Sequence, residues 1–71
     1  MLYSASNRIQ GTVQSVTTGK VCTRVEIGLP SGETISSIIS TESAHSLGIA
    51  VGSKAYAIIK ATDVMVAVNP D

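Results

Sequence analysis

Between Val21 and Leu29 the chain alternates strictly: Val21, Thr23, Val25, Ile27 and Leu29 share one side of an extended backbone, and Cys22, Arg24, Glu26 and Gly28 share the other. A period of two carried largely by β-branched residues predicts a strand with one face against a core. Turn formers bracket it. Thr17, Thr18, Gly19 and Lys20 read as a hairpin loop before it, and Pro30, Ser31, Gly32 and Glu33 as the turn after it. Upstream, Arg8 to Val16 is β-rich, with Ile9, Gly11 and Val13 on one face until Val16 breaks the period at a bulge, and Gly11 marks a sharp bend. Downstream, Thr34 to Ser40 resumes a β-branched run through Ile35, Ile38 and Ile39.

The one helix expected is Thr41 to Leu47, with Ser40 as N-cap, Glu42 near the positive end and Gly48 as the stop. It is two turns at most. After a turn at Gly52 and Ser53, Lys54 to Lys60 and Asp63 to Val68 read as two more strands. The order β, β, β, short helix, β, β predicts an all-β fold: an OB-like five-stranded small barrel with the helix between strands 3 and 4. Residues 1–71 form one domain without a visible repeat or linker.

A chain of 71 residues buries only about 60% of the surface its unfolded form exposes. Disorder is excluded, because 44% of the residues are hydrophobic and only 14% charged. Cys22 is the single cysteine, so neither an intramolecular disulfide nor a cysteine-held metal can staple the fold. Oligomerisation remains. Val64 to Val68 is apolar at every position, as are the pairs Ile38–Ile39 and Ile58–Ile59, so both faces of these segments call for burial. A small barrel has one inside, and identical subunits are the simplest cover for the other face, which predicts a homo-oligomer. No apolar run approaches the roughly 20 residues of a membrane span, and Met1 to Gln10 lacks a basic region followed by an apolar one, so a cytoplasmic location is expected.

Five lysines and arginines balance five carboxylates, and Tyr3 and Tyr56 are the only aromatics. An OB-type nucleic-acid binder needs a basic patch and stacking platforms, and this chain supplies neither. No catalytic constellation occurs either: His45 is the sole histidine, placed on a surface helix, and no nucleophile elbow, phosphate-binding loop or zinc motif is present. An enzyme is the class least supported. What is abundant is hydroxyl, with ten serines and seven threonines among the valines and isoleucines. These are weak nucleophiles without a base but good neutral hydrogen-bond donors.

Three places could gather such donors around a small anion. Ser40 and Ser43 lie three apart across the helix start, where unpaired amides and the positive dipole end point outward. Lys60 follows Ile58 and Ile59 and precedes Ala61 and Thr62 near a chain reversal. The stretch Ser4, Ala5, Ser6, Asn7, Arg8 precedes the first strand and has nothing to bury. Taken singly, each has an ordinary explanation: a helix cap, a snorkelling lysine and a polar terminus.

The same three places carry a family resemblance. The segments S-A-S-N-R-I-Q-G-T-V at Ser4 to Val13, S-S-I-I-S-T-E-S-A at Ser36 to Ala44, and A-I-I-K-A-T-D-V-M at Ala57 to Met65 are similar, in order and spacing, to those of the molbindins. These are molybdate- and tungstate-binding proteins related to the TOBE domains of molybdate-responsive regulators and transporter ATPases. The resemblance implies an OB-like fold, a hexamer built as a trimer of dimers, and non-catalytic tetrahedral-oxyanion sites at subunit interfaces. Carried over by position, it implies a site of Ser40, Ser43, Lys60 and the Ala61 backbone from one subunit with Ser4 from its partner. Ser6 stands where the family usually supplies an arginine, which removes one cation per site; Arg8 follows two residues later. The expected ligand is molybdate or tungstate, with no cofactor and no resident metal. Its expected role is intracellular storage or homeostasis; the rival is a module that senses the anion and signals to a protein partner.

Overall fold

The computed structural model of the chain describes residues 4–70. Its longest strand, β1 (Asn7–Thr18), is shared between two neighbours. The first half pairs antiparallel with β4 (Lys54–Ile59), from Asn7 opposite Ile59 to Thr12 opposite Lys54. The second half pairs antiparallel with β2 (Cys22–Gly28), from Thr12 opposite Gly28 to Thr18 opposite Thr23. A strand that changes neighbours halfway must bend, and two local features permit it. A register shift between Val13 and Ser15 makes Gln14 the extra residue of a bulge, close to where the alternation breaks in the sequence. One turn of pleat earlier is Gly11, where a Cβ would lie 2.5 Å from the Gly28 carbonyl oxygen and 2.6 Å from Ile27 Cγ2. Only glycine lets the backbones approach so closely there.

Strand β3 (Thr34–Ser40) pairs with β2 along its whole length, so the sheet runs β3-β2-β1-β4 and its edges are β3 and β4. Val25, Ile27, Ser37 and Ile39 from one side of the sheet and Ala55, Tyr56 and Ile58 from the other line a common groove of about 370 Å³. Opposite edges can share a groove only if the sheet curls. The result is an open half-barrel. Its inner face holds the core, Val13, Val25, Ile27 and Ala57, with Val16, Leu29, Ile35, Ile39, Ile49 and Ala55 packed against it.

Helix α1 (Thr41–Leu47) follows β3 without a loop. Ser40 is the N-cap, its side chain accepting the Ser43 amide. Gly48 ends the helix in the left-handed region at φ 65°, and the Ile49 amide reaches back to the Ala44 carbonyl at 3.2 Å. Only Ala44 of the helix is buried.

Four expectations are corrected. Thr17 and Thr18, expected in the hairpin loop, are the last residues of β1, paired with Arg24 and Thr23. Asp63 to Val68 is not a fifth strand of this sheet: Ala61–Asp63 form a 3-10 turn, and beyond it Val64 is extended at φ −93° and ψ 121° with no strand beside it. A strand needs a neighbour's carbonyls and amides, and among the described residues no strand pairs with this segment. Lys60 lies outside β4, which ends at Ile59. Val21, expected on the inner face, is 76% exposed because it belongs to the hairpin turn; only its carbonyl is engaged, by the Thr41 amide at 2.8 Å. The chain is correspondingly long. Its extents are 43 × 25 × 23 Å, and its radius of gyration is 13.4 Å. A compact chain of this length has about 11 Å. Val64, Met65, Val66 and Val68 are 50%, 93%, 88% and 84% exposed. No helix among the described residues is long and apolar enough to cross a membrane.

Candidate functional site

The pairing of Asn7 with Ile59 closes the β1–β4 ladder and decides what lies next to what beyond it. The Asn7 side chain adds a clamp, Nδ2 donating to the Ile59 carbonyl at 3.1 Å. Past this point the incoming stretch Ser4–Ser6 and the outgoing turn at Lys60 run side by side. Ser4, Ala5, Ser6, Lys60, Ala61 and Thr62 line a cleft of about 240 Å³. The 3-10 turn is closed by the Asp63 amide on the Lys60 carbonyl at 2.9 Å and the Val64 amide on the Ala61 carbonyl at 3.3 Å. The first amides of such a turn have no carbonyl within it to bond. The lining therefore offers three hydroxyls, backbone amides and one ammonium, and it contains no carboxylate. Chemically this suits an anion rich in acceptor oxygens.

A second group forms where β3 runs into α1. Ser40 Oγ donates to Ser43 Oγ at 2.7 Å and accepts the Ser43 amide at 3.0 Å. With Ser40's proton directed at Ser43, the Ser43 hydroxyl proton is the one free to turn outward; Ser40 must rotate before it can donate elsewhere. Both residues are exposed. Within one chain neither lines the cleft that contains Lys60. The structure thus brings Ser4, Ser6, Lys60 and Ala61 together in one chain and leaves Ser40 with Ser43 apart, whereas the resemblance implies Ser40 and Ser43 beside Lys60 and Ser4 from the partner.

Arg8 does not line the cleft. Its guanidinium carbon lies 5.3 Å from the centroid of the Tyr56 ring, and in the β1–β4 ladder Arg8 sits opposite Ile58. His45 is exposed in the last turn of α1. Among the described residues no group of three or more His, Cys, Asp or Glu could hold a metal ion. The sequence reading missed Thr62 as a donor; the signal was its hydroxyl two residues beyond Lys60, inside the same chain reversal. Asn7 and Arg8, expected to precede the first strand, are its first two residues, and the Asn7 amide fixes the cleft without lining it.

Comparison with known proteins places this geometry in a family. The TOBE domain family matches residues 3–66. A probable molybdenum-pterin-binding protein of Haemophilus influenzae is 44% identical over 69 residues, covering 97% of this chain and all of the relative. Among solved structures, MopII from Clostridium pasteurianum in an apo form superposes with a TM-score of 0.89 at 36% identity, over 94% of this chain and 100% of that one. ModG, described as a cytoplasmic molybdate-binding protein and solved with molybdate bound, gives a TM-score of 0.81 at 38% identity over 86% of this chain and 43% of its own. These relatives are named for binding, not for catalysis. With full-length sequence and backbone agreement, the chain belongs to the TOBE-domain family, as a molbindin.

Proposed function

We propose that this protein binds molybdate or tungstate for storage or homeostasis in the cytoplasm, at the seams of a homohexamer built as a trimer of dimers. The observation that carries the reading is the cleft of Ser4, Ser6, Lys60, Ala61 and Thr62: a cluster of donors around one cation, open on one side. Ser40 and Ser43 of a neighbouring copy supply the remaining hydroxyls. Each charge-assisted hydrogen bond contributes about 1.5–3 kcal/mol, so five or six of them support micromolar binding after the cost of association.

The fifth strand belongs to the same assembly. Between the β3 and β4 edges lies an apolar groove, and each chain carries an apolar segment, Val64 to Val68, that its own fold leaves largely exposed. A partner's segment entering that groove pairs with both edges, completes a five-stranded OB-like barrel and removes two aggregation-prone edges. The exchange is reciprocal in a two-fold dimer.

Selection against sulfate is geometric. A cradle spaced for the larger oxyanion leaves donors unpaired around the smaller one, at about 1–3 kcal/mol for each buried donor. Calorimetric titration with molybdate, tungstate, sulfate and phosphate tests the reading. Heat with the first two and little with the others is expected. Equal binding of sulfate removes the selectivity claim, and no heat with molybdate removes the function.

A further inference from the structure

One polar contact network in the molecule stands apart from the cleft. Thr23 lies on the inner face of β2 and is fully buried, the only buried polar or charged residue among those described. Its Oγ1 lies 2.8 Å from Oγ1 of Thr41, the first residue of α1. Thr41 Oγ1 in turn donates to the Gly19 carbonyl at 2.7 Å, and the Thr41 amide donates to the Val21 carbonyl at 2.8 Å. A hydroxyl has one proton. Since Thr41's is committed to Gly19, the proton between the two threonines comes from Thr23. Three bonds therefore fasten the first helical residue to the β1–β2 hairpin, two at its turn and one to Thr23 of β2, whose side chain water cannot reach.

Thr41 is flanked by the pair that matters for the anion. Ser40 precedes it and Ser43 follows two residues later, bonded to each other at 2.7 Å. The helix is too short to hold its own first turn rigid, at seven residues with one buried side chain. We propose that Thr23 is a positioning residue for the oxyanion site: its buried hydroxyl, acting through Thr41, holds the Ser40–Ser43 pair at the spacing and orientation the ligand meets. The inference rests on the functional reading above, in which Ser40 and Ser43 donate to the anion.

The test is molybdate titration of the full chain by calorimetry, with circular dichroism to establish folding. Thr23→Val keeps the shape and removes the proton; it is expected to weaken molybdate binding about five- to tenfold, the size of one weakened hydrogen bond. Thr23→Ser keeps the donor and is expected to stay within about twofold of wild type. The decisive comparison is a double-mutant cycle. In a Ser43→Ala background Thr23→Val should add less than about twofold, while in a Lys60→Ala background it should retain its full factor. A folded Thr23→Val protein that binds like wild type overturns the proposal. So does an equal loss in the Ser43→Ala background, since that marks a general loosening and not an action through the serines. Should Thr23→Val not fold, Thr41→Val, at a half-exposed position, carries the same cycle. Wild-type protein giving no heat with molybdate fails the functional reading itself, before any variant is compared.

Discussion

Replacing Val66 with aspartate separates a tail that lies in water from one that lies in a partner's seam. In the single chain Val66 is 88% exposed and Met65 is 93% exposed. If the tail stays there, a charge at either position changes stability by no more than about 0.5 kcal/mol. If Val64 to Val68 inserts between β3 and β4, period-two geometry puts Val64, Val66 and Val68 on one face and Met65 and Ala67 on the other. The valine face meets Val25, Ile27 and Ile39, which line the groove. Losing a buried valine costs about 1.5–3 kcal/mol, and burying a carboxylate without a partner costs several more. At least about 4 kcal/mol per tail is about 8 kcal/mol for the two tails of a reciprocal dimer, a roughly million-fold weaker association. Sedimentation velocity from submicromolar concentration upward should find Val66→Asp dissociated where wild type is assembled, with Met65→Asp much closer to wild type. Because the two residues are almost equally exposed in one chain, only an assembly can distinguish them. Two variants that associate as wild type does, or a wild-type monomer at tens of micromolar, would refute the exchange.

Further outcomes follow from the cleft and the bend. Lys60→Ala removes the one cation of the lining and should weaken molybdate binding by about 10- to 100-fold in calorimetry, with Ser43→Ala milder. Thr62→Val, which deletes a hydroxyl and keeps the volume, should cost about five- to tenfold in the same titration; an unchanged affinity would place Thr62 outside the ligand shell. Gly11→Ala forces a Cβ to within 2.5 Å of the Gly28 oxygen. It should destabilise the fold by about 1–3 kcal/mol in urea denaturation, and a neutral result would mean β1 need not bend there.

The elements were legible wherever a local rule governs them. The alternation through Thr23, Val25 and Ile27 is the buried face of β2, the broken period before Val16 is the bulge, and Ser40 and Gly48 bracket the helix as caps. Val21 was misplaced because alternation does not say where pairing begins: a turn residue can continue the pattern while lying outside the ladder. The stretch after Asp63 reads as a strand on composition, but composition reports only that it wants a partner, and the described residues of one chain place no strand beside it. In the candidate site, residue types and motif order pointed to Ser4, Ser6 and Lys60, and the Asn7–Ile59 pairing then set them around one cleft.

By itself, then, the order of amino acids determined the family, the strand-forming segments and a chemistry of hydroxyls with little charge, because each depends on residue identity and short-range periodicity. The tertiary structure alone decided that β1 is shared between two neighbours, that Ser4 and Thr62 share a cleft while Ser40 and Ser43 stand elsewhere, and that an apolar groove and an uncovered tail occur in the same molecule. Those facts depend on which distant backbones pair and how sharply a strand bends at Gly11, and such long-range closure is set by the packing of the whole sheet and not by any local pattern.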